Sequence, residues 1–201
     1  MKYRAWITSL REITCFEEIN GQRELIADLI PEIKIMFDYH QKNSAHQYDL
    51  WQHSVETMLN LPESADDDIL YLAALLHDIG KPDCQCDGKR LEDTDKHYYG
   101  HPKRSMEIVR DSIVPRLKGD LTEEEIQRLL YYVEYHDDRV SLRRKHLKRH
   151  LEMVSFEDFQ NLMQLQVADA KAHVMLPIIE ERVRICEMWA GDYGKEMLEI
   201  W

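Results

Sequence analysis

The chain has 201 residues and a mass of 24.0 kDa, which is enough for one domain with a substantial core and short for two. Acidic residues outnumber basic ones by 38 to 26, so a nucleic-acid partner would need a local basic patch or a metal ion rather than a generally basic surface. The four cysteines show no disulfide framework, and no signal-like stretch opens the chain. No run reaches the roughly 20 apolar residues that cross a bilayer. We therefore expect a cytoplasmic protein without membrane contact.

Seven glycines and six prolines leave long segments with apolar residues spaced by three and four, a pattern that predicts an all-α helical bundle. Asp49 is expected to cap a helix that reaches about Leu61. Ser64 or Asp66 is expected to cap the next helix, which runs to Ile79. That second helix is apolar nearly all round, which places it at the centre of the core.

Further elements follow along the chain. Residues 83–98, with a turn at Asp87-Gly88, are predicted to form a loop or a short hairpin. A helix is expected from about Pro102 to Leu117, and another begins at Thr122, where Glu125 completes a capping-box pattern. Residues 1–20 form an N-terminal extension and 177–201 a last helix, and we expect each to pack on the core or to form a contact in a homodimer.

The dipeptide His77-Asp78 stands at the end of the apolar helix. An adjacent imidazole and carboxylate at the mouth of a buried helix serve packing poorly, but they suit two ligands of one metal ion. Upstream, His53 lies on another apolar-periodic segment. Downstream, His101 lies on a third such segment. The chain therefore offers candidate ligands on several different helices.

Two more candidates follow from helical periodicity. The inward stripe of the helix that begins at Thr122 continues to His136 and Asp137. The later stripe formed by Phe159, Leu162 and Leu165 continues to Asp169. An unpaired buried carboxylate is costly, and a metal ion would offset its charge.

This ordered set resembles the HD superfamily of metal-dependent phosphohydrolases, whose members hold their metal with a first His, an adjacent His-Asp pair and a late Asp. Those positions are His53, His77, Asp78 and Asp169. The stretches that surround them, at residues 29–33, 46–53, 72–82, 99–101 and 168–170, look like the HD domain of bacterial CCA-adding tRNA nucleotidyltransferases. The likeness covers roughly residues 24–172 within a single domain of residues 1–201. Only about twenty residues precede it, so nucleotide addition is not expected.

The resemblance implies a phosphohydrolase that acts on a phosphomonoester or phosphodiester, such as a nucleotide or a 2′,3′-cyclic phosphate end. Two alternatives stay open: a deoxynucleotide nucleotidase or triphosphohydrolase, and a metal-stabilised RNA-binding or regulatory module without catalysis. The expected partners are accordingly a phosphorylated small molecule, a nucleotide or RNA ends.

The imidazole ligands favour Mn, Fe, Co, Ni or Zn over Mg, which remains an alternative, and over Ca. With His101 and His136 as further ligands, the site would hold two ions bridged by Asp78 rather than one. We predict catalytic roles for Asp78 and Lys81. Phosphate contacts are predicted for Lys81 and Arg104, although either could be an ordinary surface cation.

The remaining polar residues are open to plainer interpretations. Asp137 either orients a ligand or forms a surface ion pair. Cys84 and Cys86 lack partner cysteines and are treated as loop. The basic cluster is either a solvated helix face or a contact for RNA phosphates; its members are Arg139, Arg143, Arg144, Lys145, Lys148 and Arg149. Six histidines are interpreted as structural or exposed, with His46 the least certain: His40, His46, His97, His146, His150 and His173.

Overall fold

The computed structural model describes residues 2–89 and 94–199, and these residues confirm the all-α prediction. Thirteen α-helices are formed within the described ranges. They are α1 (Lys2–Ser9), α2 (Phe16–Asn20), α3 (Arg23–Leu29), α4 (Leu50–Leu59), α5 (Asp68–Leu76), α6 (Lys81–Cys84), α7 (His101–Ile108), α8 (Val114–Leu117), α9 (Glu123–Tyr135), α10 (Arg144–Leu151), α11 (Phe156–Lys171), α12 (Pro177–Ala190) and α13 (Asp192–Glu199). Two 3-10 helices, Leu10–Glu12 and Pro31–Met36, complete the N-terminal part.

The helix α5 occupies the centre of the fold, as its apolar sequence predicts. It packs against α4 and α9, and α1 and α11 also contact it. Every residue from Ile69 to Leu76 is buried, so the helix ends deep inside the protein. The largest buried side chains around this core are Trp51, Tyr132, Phe159 and Trp189, and burial of such aromatic surface stabilises the bundle strongly.

The ends of α5 differ from the prediction. Asp67 rather than Ser64 or Asp66 caps the helix, because its Oδ1 accepts a hydrogen bond from the backbone N–H of Ile69 at 3.0 Å. The helix ends at Leu76, and residues 77–80 form a turn. Pro82 then lies in the first turn of α6, where proline is favourable because no backbone N–H is needed there.

A small antiparallel hairpin confirms the predicted non-helical element. Strand β1 (Cys86–Asp87) pairs with strand β2 (Lys96–His97), with Cys86 opposite His97. Asp87 belongs to the strand and not to a turn, unlike the expectation for Asp87-Gly88. Residues 90–93 of the connection lie outside the described residues.

The helix predicted from Pro102 to Leu117 consists of α7, a π-helical turn at Val109–Ile113 and α8. Pro115 explains the π turn, because it cannot donate the backbone hydrogen bond that Asp111 O would receive in a regular α-helix. The capping box at Thr122 and Glu125 is confirmed by both of its hydrogen bonds.

The C-terminal segment contains two helices rather than the single one expected over 177–201. The break falls at Gly191, whose backbone is extended, and residues 200–201 lie outside the described part. Helix α12 packs along α11 and buries Cys186 and Trp189 completely, so this segment contributes to the core.

Candidate metal centre

Five helices bring the predicted ligands to one place. The side chains are those of His53 in α4, His77 and Asp78 directly after α5, His101 at the start of α7, His136 directly after α9, and Asp169 in α11. All except His101 are at most 4% exposed. Two ionisable carboxyl groups at such depth need a compensating cation.

The first group of ligand atoms lies around Oδ2 of Asp78 and Oδ1 of Asp169. His53 Nε2 lies 3.3 Å from Asp78 Oδ2 and 3.1 Å from Asp169 Oδ1. His77 Nε2 lies 3.2 Å from Asp78 Oδ2 and 3.6 Å from Asp169 Oδ1. These four side chains are the ones that the HD resemblance assigns to the metal.

The second group lies around the other oxygen of Asp78. Its Oδ1 lies 3.0 Å from His101 Nε2 and 3.4 Å from His136 Nε2, and the two imidazole nitrogens are 3.2 Å apart. Asp78 therefore presents one oxygen to each group. This is the arrangement expected of a carboxylate that bridges two metal positions.

These separations fit metal coordination. Two atoms that are each about 2.1 Å from one ion lie about 3.0 Å apart at an octahedral angle and about 3.4 Å apart at a tetrahedral angle. The measured distances of 3.0 to 3.6 Å match these values. Imidazole and carboxylate together are a donor set that divalent transition metals prefer.

The hydrogen-bonding state of these atoms also fits a cation. Several buried atoms make no hydrogen bond within the described part of the chain, namely His53 Nε2, His77 Nε2, Asp78 Oδ1 and Asp169 Oδ1, and Asp78 Oδ2 has only its ion pair with Lys81. Buried polar atoms are normally hydrogen-bonded, and a group of exceptions that converge on one point indicates a ligand site.

Backbone carbonyls fix the orientation of three of the imidazoles. In each of His77, His101 and His136, Nδ1 lies 2.7 to 2.8 Å from the carbonyl oxygen three residues earlier. A carbonyl only accepts, so Nδ1 carries a proton in each imidazole and Nε2 faces the centre. Histidines that bind metals are typically oriented in this way.

Electrostatics keep both carboxyl groups ionised. Burial raises the pKa of Asp78, but His77 and Lys81 outweigh it and hold that pKa well below the usual carboxyl range. The imidazoles of His173 and His53 have the same effect on the pKa of Asp169. Burial lowers the pKa of His77, yet the two carboxylates reverse this and raise it to about 10. A proton on His77 and a metal ion are therefore alternative ways to offset the two negative charges.

Lys81 is buried beside the ligands, so it is not a surface cation. Its ammonium group lies 2.6 Å from Asp78 Oδ2 and donates a hydrogen bond to Gln41 Oε1 at 2.9 Å. The face of the Tyr98 ring lies 5.7 Å away. These three partners hold the ammonium group at the wall of the cavity in front of the metal ligands.

Three residues at this centre were missed by the sequence reasoning. His46 and His173, interpreted as structural or exposed, lie beside His53 with ligand nitrogens within 4.8 Å of one another. His173 is four residues after Asp169, one helical turn on, and that spacing was an available signal. Arg182 of α12 donates to His136 O and to Asp137 Oδ1, both at 2.8 Å, a contact that depends on helix packing. All three line the cavity, whose volume is 300 Å³.

Other predicted residues lie elsewhere. Arg104 does not line the cavity, because its guanidinium group is directed to Asp83 at 2.7 Å, and this placement does not support a phosphate contact. Asp137 forms a half-exposed ion pair with Arg182 rather than a bond to an imidazole. Cys84, the last residue of α6, and Cys86, in β1, are free cysteines.

The basic cluster lies on and before α10, and its first member, Arg139, reaches the cavity wall. Arg149 is paired with Asp138. Among the other histidines, His150 is fully buried between Tyr131 and Asp138, which confirms a structural role, and His40 is exposed.

A family model described as the HD domain matches residues 44–176, about two thirds of the chain. The HD domain characterises a superfamily of metal-dependent phosphohydrolases and is an all-α fold, in agreement with the helices described above. Comparisons with curated proteins and with solved structures returned no match. Within the described residues, no helix combines the length and the apolar character needed to span a membrane. From the extent of the family match, the chain belongs to the HD domain family.

Proposed function

We propose that the chain is a metal-dependent phosphohydrolase that cleaves a phosphomonoester or phosphodiester of a nucleotide or a 2′,3′-cyclic phosphate. The observation that carries this proposal is the position of Asp78, whose two oxygens face two separate groups of ligands at the base of one open cavity. The likeness of residues 46–53 and 72–82 to the HD domain of CCA-adding enzymes supports a nucleotide or RNA-end substrate.

The residues present would hold one or two divalent ions. His53, His77, Asp78 and Asp169 would provide the first position, and His101 and His136 would complete a second through Asp78. When bound, such an ion supplies Lewis acidity, which activates water as a nucleophile near neutral pH and offsets charge on phosphoryl oxygens.

The chain itself would orient the phosphate. Lys81 faces the cavity with its ammonium group fixed by Gln41, so a hydrogen atom of that group can be donated to a phosphoryl oxygen without a change of rotamer. The cationic side chains of Arg139 and Arg182 line the same cavity and add positive potential where the anionic substrate enters.

The two alternatives differ from this proposal in the substrate or in the binding surface. A deoxynucleotide nucleotidase or triphosphohydrolase would use the same ligands on a different phosphate ester. A binding module without catalysis would depend on the exposed residues of α10, such as Arg144 and Lys145, and would bind RNA with a steep dependence on salt.

The experiment that tests the proposal combines elemental analysis with a substrate panel. The panel contains bis-p-nitrophenyl phosphate, 2′,3′-cyclic AMP, and nucleoside mono- and triphosphates, each with Mn, Ni, Co or Mg. About one or two ions per chain and metal-dependent turnover are expected. Bound metal without turnover of any ester would favour the binding module.

The variant Asp78→Asn keeps the shape of the side chain and removes its charge. It is expected to lose bound metal and to lower hydrolysis by roughly 100-fold or more, because a bridging ligand matters more than the outer partners of a metal site. Asp66→Asn is the matched control, since Asp66 is 85% exposed and pairs only with Arg11 among the described residues. Unchanged metal content and hydrolysis in Asp78→Asn would disprove the assignment.

A further inference from the structure

An apolar groove lies beside the metal cavity, mostly on helix α12, which follows the range of the family match. Its walls are the aliphatic side chains of Val140, Ile178, Ile179 and Ile185 together with Cys186, and its volume is 240 Å³. Ile178 is 67% exposed, whereas most isoleucines of this chain are buried in the core.

The groove and the metal cavity share two lining residues, Arg139 and Arg182. The two spaces are therefore neighbours across a junction that consists of guanidinium groups. Their volumes of 300 and 240 Å³ together fall within the roughly 300–1,000 Å³ of a small-molecule site, whereas the groove alone does not.

The polar atoms of the groove have little left to offer a ligand. Gln166 donates to the carbonyl oxygens of Tyr135 and Asp138, and its Oε1 accepts from Cys186 Sγ. Glu181 is paired with Arg184. The groove thus provides apolar contact rather than hydrogen bonds that would distinguish one ring from another.

The junction, unlike the groove, carries two cationic side chains that a ligand can contact. Arg182 is held at its edge by Asp137 and His136 O, while its buried Nε makes no hydrogen bond to the described residues. Arg139 is exposed and forms no ion pair within residues 2–89 and 94–199. The flat face of a guanidinium group stays open when only its edge is bound, and such a face stacks on planar rings.

We propose that the groove binds the base of a nucleoside monophosphate whose phosphate lies in the metal cavity. This inference rests on the proposed function and narrows its substrate class. The groove volume of 240 Å³ suits one planar ring, and the overall charge of −12 disfavours a polynucleotide. Because the hydrogen-bonding groups of the groove are already used, we expect weak discrimination between bases.

The test compares AMP with ribose 5-phosphate, which has the same phosphate ester and lacks the base. Affinities for the metal-loaded protein are measured by isothermal titration calorimetry, with kcat/KM from phosphate release as a second readout. AMP is expected to bind at least about tenfold more tightly, and the four common nucleoside monophosphates are expected to agree within about tenfold.

The variant Ile178→Ser removes one wall of the groove and is expected to lower the ratio of AMP to ribose 5-phosphate affinity by roughly tenfold. Leu25→Ser is the matched control, because Leu25 is 65% exposed on α3 and lines neither space. Equal affinity for the two ligands, or the same ratio in Ile178→Ser as in the wild type, would overturn the inference even if both esters are hydrolysed. Preferential binding of AMP without turnover under any metal would instead contradict the proposed function and leave the groove assignment standing.

Discussion

The ammonium group of Lys81 lies 2.6 Å from Oδ2 of Asp78, the same oxygen that faces His53 and His77. A lysine cation and a metal ion would therefore be directed at one atom. Like charges at such separations repel each other appreciably inside a protein. Lys81 is thus expected to weaken metal binding while it offers a cation to the substrate.

Replacement of Lys81 by methionine separates these two effects. Metal affinity is expected to rise by about tenfold or more, because the repulsion is removed. The value of kcat/KM is expected to fall by about tenfold or more, because a hydrogen bond from a cation to phosphate is lost. Metal titration and steady-state kinetics measure both quantities. Lys103→Met, at an exposed position of α7, is the control, and a joint loss of metal and activity in Lys81→Met would refute this account.

Removal of one imidazole from the second ligand group tests whether two ions are bound. His101→Ala is expected to reduce the metal content from two ions per chain to one, because His53, His77 and Asp169 remain around the first position. Elemental analysis after gel filtration gives the stoichiometry. His40→Ala, at an exposed histidine, should leave the metal content unchanged. An equal metal content in wild type and His101→Ala would show that His101 holds no ion.

Gly80, in the turn that carries His77 and Asp78, packs against helix α7, and its backbone N–H donates to Ser105 Oγ at 2.9 Å. A Cβ atom at this position would lie 2.5 Å from the backbone nitrogen of Ser105 and 2.9 Å from the carbonyl carbon of Arg104. Backbone atoms cannot move aside without displacing α7, so Gly80→Ala is expected to lower the free energy of unfolding by about 2 kcal/mol or more. Urea unfolding measures this change. Gly21→Ala is the control, since its nearest contact would be 3.2 Å from Glu17 O, and equal stabilities of the two variants would be inconsistent with the packing described.

His150 predicts a dependence of stability on pH. Burial, together with the charge of Arg149, lowers the pKa of His150 to about 4, below the ordinary value of 6.5. Between these two values the unfolded chain binds a proton that the folded chain does not, so acidification favours unfolding. The free energy of unfolding is therefore expected to fall, by about zero above pH 6.5 and by about 3 kcal/mol near pH 4.

Urea unfolding at a series of pH values tests this effect. His150→Gln keeps groups that can pair with Tyr131 and Asp138 but removes the titration. The slope of unfolding free energy against pH between 6.5 and 4 should therefore be smaller in the variant than in the wild type. Parallel slopes would show that the proton uptake of His150 does not differ between the folded and unfolded chains.

The inward placement of several candidate ligands was predictable because it follows from local pattern. His136 continues the inward stripe of α9, Asp169 continues that of α11, and His77-Asp78 ends an apolar helix, so periodicity alone directs them inward. The apolar length of α5 likewise predicts that its end is buried. These features need no knowledge of how distant segments pack.

The placements that sequence reasoning could not provide depend on tertiary contacts. Arg182 reaches the cavity because α12 packs along α11, and nothing in its own neighbourhood indicates that outcome. Lys81 is buried because Gln41 and Tyr98 close over it from other segments. Arg104 lies one turn after His101, yet Asp83 holds its guanidinium group away from the cavity.

The carbonyl contacts of His77, His101 and His136 have a consequence for how such a centre persists while its sequence changes. Each imidazole is oriented by the backbone three residues earlier, which is independent of the side chains at those positions. The orientation of these imidazoles therefore depends on backbone at the C-terminal ends of α5 and α9 and on the turn before α7. The rest of the chain needs only to bring those ends together, which many different cores can do.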